Sequence, residues 1–165
     1  MNYHNITKCD MLNGAGLRVV LWVSGCSHHC NGCHNPETWD YLSGIAFDNE
    51  AEEELFNALE CDYIKGITFS GGDPLHKNNI DVILNLAKKI KTKYNNKDIW
   101  LYTGYLYEEI QSLEIIKYID VLVDGKFVKE QADTKINWRG STNQRIIDLN
   151  KTREKNEIVL IDEIR

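Results

Sequence analysis

Four short apolar runs, each halted by a small or acidic residue and then a glycine, constrain this chain more than any other feature. They are VVLWV at 19–23, ITF at 67–69, IWLY at 99–102 and IDVLV at 119–123, and they stop at Ser24-Gly25, Ser70-Gly71-Gly72, Thr103-Gly104 and Asp124-Gly125. Unbroken apolar runs bounded by turn residues suit strands covered on both faces. Helical patterns lie between them. Asp48 can cap the segment NEAEEELFNALE, which carries carboxylates in its early turns and Ala51, Leu55 and Leu59 on one face. The stretch NNIDVILNLAKKIKTK spaces Ile80, Ile83, Ala87 and Ile90 as one helix face, and Lys88, Lys89, Lys91 and Lys93 read as a solvated face at its C-terminal end. Leu106, Ile110 and Leu113 predict a third, shorter helix. From about Phe127 the pattern loosens, and IVLI at 158–161 predicts a last edge strand.

Strands alternating with helices imply parallel βαβ units with right-handed crossovers. In such folds the loops after the strand C-termini build the active site, so the four glycine turns should face one rim. Four or five units fit, too few for a complete eight-stranded barrel of about 250 residues. The expected fold is therefore α/β, a mostly parallel sheet forming a partial (βα) barrel open on one side. No repeat, low-complexity tract or linker interrupts the 165 residues, which predicts one domain over 1–165. A formal net charge of −6 argues against nucleic acid or an anionic membrane as the main partner. No apolar run nears the ~20 residues of a membrane span, and MNYHNITKCD has neither the basic nor the apolar region of a secretory signal, so a cytoplasmic location is expected.

Between Gly25 and Asn35 the sequence reads GCSHHCNGCHN, with Cys26, Cys30 and Cys33 on one short loop. Five cysteines, three of them clustered, do not form a disulfide framework, and clustered thiols in a reducing compartment bind metal more often than they pair. Two readings stay open. A structural zinc site would take its fourth ligand from His28, His29 or His34. An iron–sulfur cluster would use three thiolates and leave one iron open, as catalytic metal sites do. Spacing favours the cluster, because Cys9 and Cys61 each stand alone and supply no second pair. His28 and His29 read as exposed loop residues, Cys9 and Cys61 as ordinary thiols, and Trp22 and Trp100 as core. Ser70-Gly71-Gly72-Asp73-Pro74 could bring backbone close to a ligand and set a carboxylate against an ammonium, although alone it is an ordinary strand-to-helix turn. Arg139 and Arg145, beside GSTNQ, read as either a solvated loop or a docking patch for a partner, with docking slightly favoured because a glycine-, Ser- and Asn-rich loop presents donors well.

C-x3-C-x2-C directly after a first strand resembles the motif of the radical S-adenosylmethionine (SAM) superfamily. The resemblance implies the partial barrel of that superfamily, and Cys26, Cys30 and Cys33 as ligands of one [4Fe–4S] cluster whose open iron is chelated by the amino and carboxylate groups of SAM. Ser70–Pro74 is similar to the GGE(P) motif that binds the SAM amino group, with Asp73 one methylene shorter than the usual Glu. The implied SAM contacts are Gly32, Cys33 and His34 along the adenine or methionine, Gly71, Gly72 and Asp73 at the amino-acid end, and Thr103 from the third strand.

Within the superfamily, CHNPETW at 33–39 resembles the C-[HY]-N-x-x-[ST]-W stretch of the activating enzymes for glycyl radical proteins, and NGAGLR at 13–18 their NGPG-x-R segment, with Ala15 where proline is usual. DIWLYTGY at 98–105, VLVDGKF at 121–127 and WRGS at 138–141 with Asn143 and Gln144 are similar to the branch serving the anaerobic ribonucleoside-triphosphate reductase. The nearest alternative, activation of pyruvate formate-lyase, belongs to a longer chain with an acidic residue where this one has Tyr102. The resemblance spans about residues 1–148 and leaves 149–165 unmatched. It implies one-electron cleavage of SAM to methionine and a 5′-deoxyadenosyl radical, which takes a hydrogen from a glycine α-carbon of the large reductase. No side-chain base is needed. A flavodoxin-type electron donor is implied as a second partner, since this chain shows no flavin motif.

Overall fold

The computed structural model describes residues 1–161. Seven strands form one sheet: β1 (Asn2–Asp10), β2 (Arg18–Val23), β3 (Ile45–Ala46), β4 (Gly66–Gly71), β5 (Asp98–Tyr102), β6 (Val121–Asp124) and β7 (Arg145–Asp148), in the order β3-β1-β2-β4-β5-β6-β7. The four apolar runs are the four central strands. β2, β4, β5 and β6 pair in parallel, with Val19 opposite Ile67, Ile67 opposite Ile99 and Leu101 opposite Leu122. β1, β3 and β7 add antiparallel edges. The result is a mixed α/β fold, parallel only in the middle of the sheet.

Alternation along the central strands sorts side chains between two environments. Val19, Leu21, Phe69, Ile99, Leu101 and Leu122 join the main core. The packing helices are α1 (Asn49–Leu59), which buries Ala51, Leu55, Ala58 and Leu59, and α2 (Ile80–Lys93), which buries Ile83, Leu86, Ala87 and Ile90. The Asp48 cap forms as expected, its carboxylate accepting from the Ala51 N–H at 3.0 Å. Lys88, Lys89, Lys91 and Lys93 all form ion pairs, with Glu114, Glu52, Asp120 and Glu60. On the opposite sheet face, Trp100, Val121, Val123 and Ile146 make a smaller cluster against Tyr102 and Trp138.

Several expectations change. The third helix is the single turn α3 (Tyr107–Ile110); Ile110 alone of its three predicted apolar positions is buried, and Leu106 is 47% exposed. Residues 158–161 form no strand, only an isolated bridge between Leu160 and Ile147 and backbone bonds on either side of it. The start of the unmatched tail is helix α4 (Leu149–Lys155), capped by Asp148 and anchored by buried Leu149 and Thr152. Its last four positions, 162–165, lie outside the described residues. Among the described residues no helix is long and apolar enough to cross a membrane.

Candidate functional site

The C-terminal ends of β2, β4, β5 and β6 do open onto one rim. A cleft of about 480 Å³ lies there, lined by Cys26, Cys30 and Cys33, by Gly71, Gly72 and Asp73, by Thr103 and Gly104, by Gly125, and by the segment 127–144. That volume suits a small-molecule site. Trp22, Ser70 and Tyr102 line its wall, each near the end of its own strand and on the face away from the helices. Trp22 is therefore a cleft residue rather than core, its indole N–H held by Thr7 Oγ1 at 2.9 Å; Trp100, 2% exposed, is core as expected.

The cysteine loop leaves β2 through Ser24 and Gly25. Gly25 has φ +97°, a left-handed conformation that an L side chain would strain. Its N–H donates to the Thr38 carbonyl at 2.7 Å and its carbonyl accepts from the Asp73 N–H at 2.8 Å, while the Gly72 N–H reaches Val23 O at 2.7 Å. The two glycines after β4 have a clear steric role here. A Cβ on Gly71 would stand 2.6 Å from Val23 N, and one on Gly72 would stand 2.5 Å from Gly25 O. Gly71-Gly72 lets the ends of β2 and β4 close on each other, so the thiol loop and the GGD turn form one unit.

Asp73 holds that unit to the next strand. The residue is 1% exposed, and its carboxylate accepts from Thr103 Oγ1 at 2.9 and 3.1 Å, Gly104 N at 3.2 Å and Leu75 N at 2.8 Å. His28 Nε2 lies 2.6 Å from Asp73 Oδ2. The His28 side chain is 6% exposed, contrary to the expected solvated loop residue, and packs edge-on against Tyr105. Gly104 makes room for it, since a Cβ there would lie 2.4 Å from the imidazole. Asn79 completes the brace by donating to both Ser24 O and Asp73 O, at 2.8 and 3.0 Å.

All three loop cysteines are free thiols. Burial pushes the Cys26 thiol above its ordinary value, and nearby Asp73 adds to that rise, so a thiolate there calls for positive charge beside it. The Asn35 N–H points at Cys33 Sγ across 3.4 Å, a hydrogen bond that a thiolate would strengthen. Among the described residues no three His, Cys, Asp or Glu groups gather tightly enough to hold one metal ion. The three histidines of the zinc reading are engaged elsewhere: His28 with Asp73, His29 stacked on Trp39 at 4.7 Å, and His34 against Phe127 at 4.8 Å. Gly32 turns the loop at φ +73° beside Lys129, with Cys33 and His34 following it into the cleft wall.

The wall across the cleft is tied down as well. Tyr102 donates its hydroxyl to Trp138 O at 2.7 Å, and burial raises its pKa far above the ordinary phenol value. Arg145 is tied into the fold by ion pairs. Its guanidinium pairs with fully buried Asp124 and, in bidentate fashion, with Glu108 at 2.7 and 2.9 Å. Arg139 donates to Gln144 O at 2.7 Å.

Arg18, the last residue of the NGAGLR segment, has a structural role that this motif alone does not announce. It is fully buried, donating to Thr68 Oγ1, Ala15 O and Ile67 O and pairing with Asp98 at 2.5 Å. It pins residues 13–15 to the sheet beside the cleft. A lone arginine at the start of an apolar run was the available signal.

A strand-end loop of three free thiols braced over a cleft suits an iron–sulfur protein, and the family model described as a 4Fe-4S single cluster domain matches residues 12–147. The chain is 48% identical over 146 residues to an anaerobic ribonucleoside-triphosphate reductase-activating protein of Enterobacteria phage T4, covering 88% of this chain and 93% of that one. Proteins of the same description from Vibrio cholerae and Escherichia coli K12 are 47% and 45% identical over 148 residues, covering 87% of this chain and 96% of each. The chain belongs to the family of anaerobic ribonucleoside-triphosphate reductase-activating proteins.

Proposed function

We propose that this chain is a radical SAM oxidoreductase that installs a glycyl radical on the large anaerobic ribonucleoside-triphosphate reductase. The observation that carries the reading is the joining of the three-thiol loop and the Gly71-Gly72-Asp73 turn on one cleft, in a chain of this family. The sheet, parallel in its centre and open at its ends, is compatible with a partial barrel working as a single domain.

Cys26, Cys30 and Cys33 would hold three irons of a [4Fe–4S] cluster; their free thiols and the Asn35 N–H aimed at Cys33 fit that donor set. When bound, such a cluster supplies one electron to the SAM sulfonium, freeing methionine and a 5′-deoxyadenosyl radical. Everything else falls to this chain's residues. Gly71 and Gly72 offer backbone to the amino-acid end of SAM. Asp73 already carries donors from two neighbouring loops, so its part is to hold those loops in register and add negative charge near an ammonium. Thr103, bonded to Asp73, sets the third strand end in place. Cys33 and His34 line the side where the adenine or methionine would lie, and Gly32 turns the loop just before them. Trp22, Tyr102, Phe127 and Trp138 give the cleft an aromatic wall that would exclude water from a reactive radical. A flavodoxin-type protein would supply the electron.

The test is anaerobic turnover. Reduced wild-type protein should cleave SAM to 5′-deoxyadenosine and raise a glycyl radical signal on the reductase, and Cys30→Ala should lose both iron and turnover. Full turnover by Cys30→Ala would overturn the ligand assignment. A radical signal on pyruvate formate-lyase, with none on the anaerobic reductase, would move the substrate assignment.

A further inference from the structure

Trp39 carries a polar atom that nothing else in the fold explains. Its indole Nε1 is buried and has no hydrogen-bond partner among the described residues. Indole is a donor only, so what it lacks is an acceptor. The side chain is not loosely held: its ring lies flat against His29, with centroids 4.7 Å apart and planes 4° apart. Its carbonyl accepts from the Cys26 N–H at 3.1 Å, and it lines the same cleft as the three loop cysteines. His29 sits at φ +48°, unusual for a non-glycine residue, in the conformation that carries this stack. Trp22, on the same cleft, provides the contrast, because its N–H is already taken by Thr7.

A buried donor without a partner is destabilising, so one retained in a native fold calls for an acceptor, and a group bound beside it supplies one. The group that the three cysteines would hold is rich in anionic sulfur, thiolate and sulfide alike. We propose that Trp39 donates its indole N–H to a sulfur of the iron–sulfur cluster and thereby sets the cluster's reduction potential. This rests on the cluster proposed above but goes beyond it, since it gives Trp39 a role acting through the cluster rather than on SAM. The sign follows from charge. Reduction adds an electron to the cluster and makes its sulfurs better acceptors, so the bond favours the reduced form and raises the potential.

The experiment uses the full chain, reconstituted anaerobically with iron and sulfide and kept free of SAM. Iron content is measured first. A wild-type chain that assembles no cluster defeats the proposed function itself, before Trp39 is at issue. Trp39→Phe keeps the aromatic surface against His29 and removes only the donor. With iron equal to wild type, it should be about tenfold harder to reduce, a midpoint lower by about 59 mV for one electron. Pulsed electron paramagnetic resonance of the reduced wild-type cluster, with indole nitrogens labelled by 15N, should show a nitrogen coupling that Trp39→Phe lacks. If Trp39→Phe assembles no cluster, that coupling in wild type decides. An unshifted midpoint, no coupling, or a coupling that arises only after SAM is added would overturn the proposal, the last by making SAM the acceptor.

Discussion

Replacing Gly72 with alanine tests whether the paired glycines serve to close two strand ends on each other. The added Cβ would sit 2.5 Å from Gly25 O and 2.9 Å from Gly25 C, both backbone atoms that no rotamer change can move. Restoring an ordinary 3.4 Å contact requires the chain at Gly25 to retreat by about 0.9 Å. That shift is enough to break the 2.8 Å bond from the Asp73 N–H to the same carbonyl. Overpacking of this kind costs about 1–3 kcal/mol, and the lost bond about 0.5–1.5 kcal/mol. We expect a total near 2–4 kcal/mol. Urea unfolding of the metal-free chain should read this as a midpoint lower by about 1–2 M, for a slope of about 2 kcal/mol/M. Because Cys26 follows Gly25 directly, reconstituted Gly72→Ala should also hold less iron than wild type. Unfolding at the wild-type midpoint with a full iron complement would refute the steric argument.

Asp73→Ala removes the acceptor shared by His28, Thr103, Gly104 and Leu75; breaking a buried network of this kind should cost about 3–5 kcal/mol in urea unfolding, and an unchanged midpoint would contradict its bracing role. Arg145→Met leaves the fully buried Asp124 carboxylate without its cation, with an expected loss of about 3–5 kcal/mol; wild-type stability combined with weaker reductase binding would instead restore Arg145 as a docking residue. Glu108 responds to pH. Its hydrogen bond with Arg145 lowers its pKa from 4.5 to about 2, so the stabilisation is fully present above pH 4.5 and is lost as pH falls towards 2. Glu108 is half-exposed, which limits the contribution to about 1 kcal/mol or less. The difference between wild type and Glu108→Gln in urea midpoint should therefore be small at pH 7 and shrink across that acid window, and a difference that grew on acidification would reverse the sign.

The legible parts of the fold were those whose physics is local. VVLWV, ITF, IWLY and IDVLV announce themselves because these strands are buried along most of their length, one face in the main core and the other against the smaller cluster and the cleft. β1 was missed because, although it pairs with both β2 and β3, Tyr3 and Ile6 are its only buried apolar residues, and NYHNITKCD otherwise reads as polar chain. β7, RIID, is too short to show a period, and its arginine pointed to solvent until Asp124 and Glu108 accounted for it. The same holds in the site. Three cysteines within one loop are visible at once, whereas His28 meets Asp73 across 45 positions. No local pattern distinguishes a histidine that reaches a buried carboxylate from one that faces water. Trp39 stood in plain sight in CHNPETW, but an unpaired indole nitrogen becomes evident only once its surroundings are built.

The central claim is that three thiolates leave one iron for SAM to occupy, and isotopic labelling of SAM tests it most directly. The reduced, reconstituted protein should be frozen without air with SAM carrying 15N in its amino group and 17O in its carboxylate, and examined by electron–nuclear double resonance. Strong coupling of both labels to the cluster spin is the predicted result. Absence of both couplings, with a histidine nitrogen coupled in their place, would contradict it.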